Sequence, residues 1–123
     1  MRILLVEDHT DTAQILSRLL AAEGHEVTVA STAAAAERLC REREFDVLVC
    51  DISLPDGDGW ELLGRIRETC DAPAIAVSGY GMDADVTRSA AAGFAAHVTK
   101  PVLFPRLLEV IAQVTRGERG PPS

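Results

Sequence analysis

The chain has 123 residues, 47% hydrophobic and 25% charged, with a net charge of −7 from 12 basic and 19 acidic side chains. That length fits one domain with its own core. The acidic balance excludes the basic footprint of direct nucleic-acid binding, and no apolar run approaches the roughly 18 residues that span a bilayer.

Met1 leads straight into a strand pattern, without the length or cleavage site of a secretory signal. Cys40, Cys50 and Cys70 form no CxxC pair and are odd in number, so they are expected as reduced thiols of a cytoplasmic protein. Residues 2–6 (RILLV) read as the first strand, with Glu7 and Asp8 at its carboxyl end. Thr10 or Asp11 can cap a helix reaching about residue 23, with Ile15, Leu16, Leu19 and Leu20 on one face and Gly24 as its stop. Residues 26–30 alternate like a strand, and Ser31 or Thr32 caps a second helix favoured by the alanines at 33–36.

The stretch FDVLVCDISLPDGDG, residues 45–59, is central. Its β-branched run closes on Asp51 and then on turn-forming residues, which is the pattern of a buried strand. Asp51 is a strand-ending cap or a reactive group. A third helix is expected over residues 60–69 and a fourth strand over 74–77, ending on Ser78-Gly79. An alanine-rich helix over 83–92 follows, then a short fifth strand over 95–98 and a last helix over 105–115. Pro105 suits a first helical position, whereas Phe104 before it is a poor cap. Residues 1–116 form the expected domain, and 117–123 (GERGPPS) a disordered tail.

Five strands alternating with five helices specify an α/β fold: a flavodoxin-like, doubly wound, five-stranded parallel sheet of order 2-1-3-4-5. In that order Glu7, Asp8, Asp51, Ser78 and Lys100 share one edge of the sheet, the edge where such folds bind ligands. Converging carboxylates need a compensating charge, and a hard divalent cation such as Mg²⁺, with Mn²⁺ as a substitute, takes oxygen ligands. Asp8 and Asp51 are the natural ligands. The backbone carbonyl of Ser53 could complete the protein's share, and Glu7 could act through water. The alternative for Glu7 and Asp8 is a capping role at the first helix.

Lys100 is the one lysine among the 12 basic residues. A compact ammonium can pair with a single oxygen where a guanidinium imposes a fork; the plain alternative is a surface lysine at a strand end. A cis Lys100–Pro101 bond could turn the ammonium inward. A nucleophilic carboxylate, a metal, a cation and the Ser78 hydroxyl are the parts of phosphoryl transfer by positioning and electrostatics.

LLVEDH, VLVCDISLPDGDGWELLGRIR, AIAVSGYG and AAGFAAHVTKPV resemble the receiver domain of two-component response regulators over about residues 2–114. The resemblance implies that Asp51 accepts a phosphoryl group from a histidine kinase or phosphotransfer protein, and that Asp8 ligates Mg²⁺ directly. It also implies that Ser78 is the switch hydroxyl and that Lys100 contacts the phosphoryl group. Movement of Ser78 would rearrange the face of the fourth helix, fifth strand and fifth helix toward an unknown downstream protein. His97 stands where the family usually carries Tyr or Phe. It is either a rotating switch, pH-sensitive near neutrality, or a solvated strand residue.

His9 and His25 are expected on surface loops, Trp60 as packing at a helix start, and Tyr80 at the pocket mouth. A haloacid dehalogenase-like phosphatase would carry a second aspartate where Ser53 stands, so only slow loss of the domain's own phosphoryl group is expected rather than turnover as an enzyme. A phosphate-independent interaction module does not need Asp8, Asp51, Ser78 and Lys100 together. A dinucleotide binder needs a glycine-rich loop where EDHTDT stands. The HVTKPV segment is similar to receivers attached to hybrid histidine kinases. A stand-alone regulator and a receiver cut from a longer protein both fit, with a monomer expected before phosphorylation.

Overall fold

The computed structural model describes residues 1–79 and 83–118. Tyr80 and residues 119–123 of the expected tail lie outside the described residues. In chain order the elements are β1 (Arg2–Val6), α1 (Thr10–Ala22), β2 (Glu26–Ala30), α2 (Ala33–Glu42), β3 (Val47–Asp51), β4 (Ser53–Leu54), β5 (Gly57–Asp58), α3 (Gly59–Ile66), β6 (Ala74–Ser78), α4 (Asp83–Ala92), β7 (Ala96–Thr99) and α5 (Phe104–Thr115). The main sheet is parallel, in the order β2-β1-β3-β6-β7, which is the expected 2-1-3-4-5 order with β6 and β7 as its fourth and fifth strands.

Strand alternation divides the core between the two faces of the sheet. Leu4, Val6, Leu48, Cys50, Ala74 and Ala76 pack with Ala36 and Cys40 of α2, Leu62, Leu63 and Ile66 of α3, and Phe94. Ile3, Leu5, Val47, Val49, Ile75 and Val77 pack on the other face with Leu16 and Leu20 of α1 and with Leu107, Val110, Ile111 and Val114 of α5. Each fully buried Val, Leu or Ile among them contributes about 1.5–3 kcal/mol by leaving water. β3 is covered on both faces, and that is why it reads as an unbroken apolar run.

Several local expectations are corrected. Neither Thr10 nor Asp11 caps α1: His9 is the N-cap residue, without a side-chain bond, and Thr10 and Asp11 lie in the first turn. Of the expected α1 face, Leu16 and Leu20 are buried, while Ile15 is 58% and Leu19 39% exposed. The buried set Ala13, Leu16, Leu20 has a narrower helical stripe than the four apolar residues suggested. For α2 the choice resolves to Thr32, whose hydroxyl accepts from the Ala35 N–H. Helix α3 stops at Ile66 rather than near 69, and the fifth sheet strand is displaced one residue, to Ala96–Thr99. In α5 the N-cap is Leu103, so Phe104 is the first helical residue and Pro105 the second. Phe104 therefore has no capping role to fulfil.

The turn after β3 holds a short antiparallel ribbon, β4–β5, that the sequence pattern did not suggest. Gly59 closes it. The Gly59 N–H donates to the Ile52 carbonyl at 2.8 Å, and a Cβ at Gly59 would stand 3.0 Å from the Asp51 carbonyl oxygen and from Ile52 Cα. Only a residue without a side chain lets α3 begin that close to the end of β3. Asp56, in the same turn, accepts from the Ala33 and Ala34 N–H groups at 2.7 and 3.1 Å, capping α2 from outside it.

Candidate functional site

The carboxyl ends of β1, β3, β6 and β7 deliver Glu7 and Asp8, Asp51, Ser78 and Lys100 to one edge of the sheet. Asp51 is 2% exposed and Glu7 4%. Lys100 Nζ donates to Asp51 Oδ2 at 2.6 Å and lies 4.0 Å from Glu7 Oε2. The Lys100–Pro101 bond is cis, and the Lys100 N–H donates to the Ser78 carbonyl at 2.7 Å. The Ser53 N–H donates to Asp51 Oδ1 at 2.9 Å. Thus Oδ1 is held by backbone and Oδ2 by a long, rotatable side chain.

Glu7, Asp8, His9 and Asp51 each offer one ligand atom, and these atoms lie within 4.8 Å of one another. Among the described residues Asp8 Oδ1 is buried and accepts no hydrogen bond, although His9 Nδ1 stands 3.4 Å from it. A buried carboxylate oxygen without a donor, beside two more carboxylates, marks a place for a cation. Oxygen donors of this kind fit Mg²⁺. The residues present therefore fit the metal expected from the sequence.

The charges leave a signature in acidity. Burial, then the hydrogen bond and charge of Asp51, push the Glu7 carboxyl above its usual range, against the lowering effect of its bonds from His9. Partial burial works to lower the Lys100 ammonium, but the hydrogen bond and charge of Asp51, with Glu7 and Asp8 behind it, hold it above its ordinary value. His9 Nδ1 lies 2.7 Å from Glu7 Oε1, and this bond, with the charge of Asp8, raises the His9 imidazole. His9 is exposed as expected, yet it is engaged with the acidic cluster, a link that its place in a loop did not signal. His25 pairs with the chain's amino terminus at 3.2 Å.

His97 is 3% exposed, so it is not a solvated strand residue. Its Nε2 lies 3.1 Å from Ser78 Oγ and its Nδ1 2.9 Å from Ser89 Oγ. Ser89 in turn accepts from Trp60 Nε1 at 2.9 Å, and the Arg88 guanidinium lies 4.0 Å over the Trp60 ring. Ser89 sits in an alanine-rich helix, 29 residues from Trp60 in sequence. No local pattern joins the two.

A profile of the family described as "Response regulator receiver domain" matches residues 3–112. The chain is 38% identical over 116 residues to an uncharacterized 14.6 kDa protein of Leptolyngbya boryana, covering 92% of this chain and 88% of that one. It is 35% identical over 119 residues to the transcriptional regulatory protein AfsQ1 of Streptomyces coelicolor, covering 95% of this chain but 52% of the relative, about half its length. Among solved structures, a CheY-like response regulator receiver domain protein of Methanospirillum hungatei JF-1 superposes with a TM-score of 0.88 at 33% identity, covering 94% of each chain.

Proposed function

From the premise that this chain belongs to the response regulator receiver domain family, a family of phospho-accepting signalling domains in two-component systems, we propose that Asp51 is its phospho-acceptor. The donor is a phosphohistidine of a histidine kinase or phosphotransfer protein, and the reaction is Mg²⁺-dependent. The observation that carries this reading is the setting of Asp51: a buried carboxylate, 2.6 Å from the one lysine and within metal-sharing distance of Glu7 and Asp8.

The Ser53 N–H fixes Asp51 Oδ1, which leaves Oδ2 as the nucleophile. Oδ2 attacks phosphorus, the P–N bond of the donor breaks, and the departing imidazole nitrogen takes up a proton. Lys100 turns from Oδ2 to a phosphoryl oxygen, keeping charge neutralised as the bond forms. Bound Mg²⁺ supplies further neutralisation of the phosphoryl oxygens; Asp8, Asp51 and the Ser53 carbonyl would hold it, with Glu7 acting through water, and Mn²⁺ would substitute. Ser78 then moves to donate to a phosphoryl oxygen, and His97 follows, rearranging the face of α4, β7 and α5 for a downstream protein. Serine at position 53, where a phosphatase of similar chemistry carries an acid/base, favours slow self-dephosphorylation over turnover.

We take the receiver unit as residues 1–116, a cytoplasmic monomer before phosphorylation, and the activity of any longer protein around it as set by segments beyond it. Intact mass after incubation with acetyl phosphate, with Mg²⁺ or chelator, tests the reading on wild type and Asp51→Asn. One phosphoryl group is expected, only with Mg²⁺ and only with Asp51. No adduct in wild type across a time course refutes it and favours the phosphate-independent interaction module.

A further inference from the structure

Helix α2 is capped twice. Its own N-cap, Thr32, accepts from the Ala35 N–H at 3.1 Å, and one such bond is what a helix N-terminus ordinarily receives from its capping side chain. The other N–H groups of a first turn are commonly met by water. Here two of them go to one carboxylate: Asp56 Oδ1 accepts from Ala33 at 2.7 Å and Oδ2 from Ala34 at 3.1 Å. Asp56 lies between β4 and β5 and is exposed, so its charge adds only modestly to a helix that already has a cap. The ribbon has more need of the bond. Two residues in each strand do not hold a hairpin by themselves. One end of the ribbon is tied by the Gly59 N–H to the Ile52 carbonyl at 2.8 Å, and by Asp58 Oδ1, which accepts from the Glu61 N–H of α3 at 2.8 Å. Asp56 ties the other end, across to α2.

We propose that Asp56 is a positioning residue for phosphoryl transfer: it latches the β4–β5 ribbon to α2 and so fixes Ser53 against Asp51. The inference rests on Asp51 being the phospho-acceptor. Ser53 opens the ribbon, and its N–H donates to Asp51 Oδ1 at 2.9 Å. Its carbonyl is the oxygen assigned to the cation, so a ribbon that swings displaces both groups together. Helix α2 in turn follows β2, whose last residue, Ala30, accepts from the Glu7 N–H at 3.0 Å. A circuit of bonds therefore runs from Asp51 through Ser53, Asp56 and α2 to Glu7. It sets the ribbon's side of the acidic cluster against the β1 side, where Glu7 and Asp8 stand. Without the latch Oδ1 is free to turn, and the donors that share the cation lose their fixed separation.

The two caps on α2 let positioning be separated from stability. Asp56→Ala removes the latch, Asp56→Asn keeps one acceptor oxygen, and Thr32→Ala removes the helix's own cap while leaving the ribbon bonded. Intact mass follows the rate of phosphorylation by acetyl phosphate as Mg²⁺ is varied, with urea midpoints measured alongside. The Mg²⁺ concentration giving half the maximal rate is expected to rise about tenfold in Asp56→Ala, the low end of what partners behind a metal's ligands contribute. A smaller rise is expected in Asp56→Asn, and none in Thr32→Ala, although its urea midpoint falls as well. Amide hydrogen exchange, which needs no phosphoryl donor, is expected to quicken at Ser53 in Asp56→Ala and to stay unchanged at Val49 in β3. An unmoved Mg²⁺ dependence in Asp56→Ala, an equal shift in Thr32→Ala, or unchanged exchange at Ser53 each overturns the latch while leaving the phospho-acceptor reading standing. Absence of any mass gain in wild type overturns both.

Discussion

Replacing Lys100 with methionine keeps the unbranched stem, one atom shorter, and removes its charge. In the folded protein this takes an ammonium from 2.6 Å of Asp51 and 4.0 Å of Glu7, carboxylates that are 2% and 4% exposed. Removing one partner of a buried ion pair costs about 3–5 kcal/mol, because a charge is left without compensation. The Lys100 side chain is 31% exposed, so water recovers part of that loss. The lower figure of about 2–3 kcal/mol is expected at neutral pH without metal, against a total stability of about 5–15 kcal/mol for a domain. With a urea slope of about 1–3 kcal/mol/M, the midpoint falls by about 1 M or more. The assay is urea unfolding in chelator, run as a double-mutant cycle with Asp51→Asn. In the Asn background the buried charge nearest Lys100 is gone and Glu7 remains at 4.0 Å, so Lys100→Met should cost about 1 kcal/mol or less. Mg²⁺ should narrow the difference between wild type and Lys100→Met, since a cation among Glu7, Asp8 and Asp51 replaces the lost charge. Additivity of the two substitutions to within about 0.5 kcal/mol would refute the reasoning, because Lys100 would then not be compensating Asp51.

Two further outcomes are expected. The Asp56 carboxyl accepts from the Ala33 and Ala34 N–H groups, and these bonds hold it below its ordinary value of 3.8; the stability it contributes is present above 3.8 and lost as pH falls through the lower, folded value. Thermal melts should therefore separate wild type from Asp56→Asn near neutrality and bring them together in strong acid, and a constant difference across that range would show that the bonds do not depend on the carboxylate charge. Of the three thiols, half-buried Cys70 should be alkylated first in the native protein, while Cys40, which burial pushes up to about 12, and Cys50, raised further by its complete burial, react only on unfolding. Peptide mass mapping after iodoacetamide checks the order, and early labelling of Cys50 would mean that β3 opens locally.

The sheet was legible because its strands are short, apolar in β1, β3 and β6 and alternating in β2, and because parallel strands joined by helices admit few topologies. What escaped was set by contacts between segments distant in sequence. The β4–β5 ribbon has two residues in each strand, too few for a periodicity, and its geometry comes from Gly59 lying against β3. The cap that Asp56 places on α2 comes from more than 20 residues away. Leu103 became the N-cap of α5 without a side-chain bond, so no capping residue was there to be read.

The site was legible for a different reason. Acidic residues at the ends of apolar strands are unfavourable in isolation, since burial and mutual repulsion both oppose their ionised forms. The raised Glu7 carboxyl and an Asp8 Oδ1 that accepts no hydrogen bond among the described residues show that this fold leaves part of that opposition unrelieved. Such a cluster calls for a compensating charge or for protonation, and a lone lysine among arginines was a visible part of the answer. His97 was ambiguous because its sequence neighbours do not reveal its partners, which among the described residues include Ser78 on the adjacent strand and Ser89 on α4. A buried polar side chain is decided by what satisfies it. Carboxylates could be read at this site from their repulsion alone, whereas a histidine had to be seen among its hydroxyls.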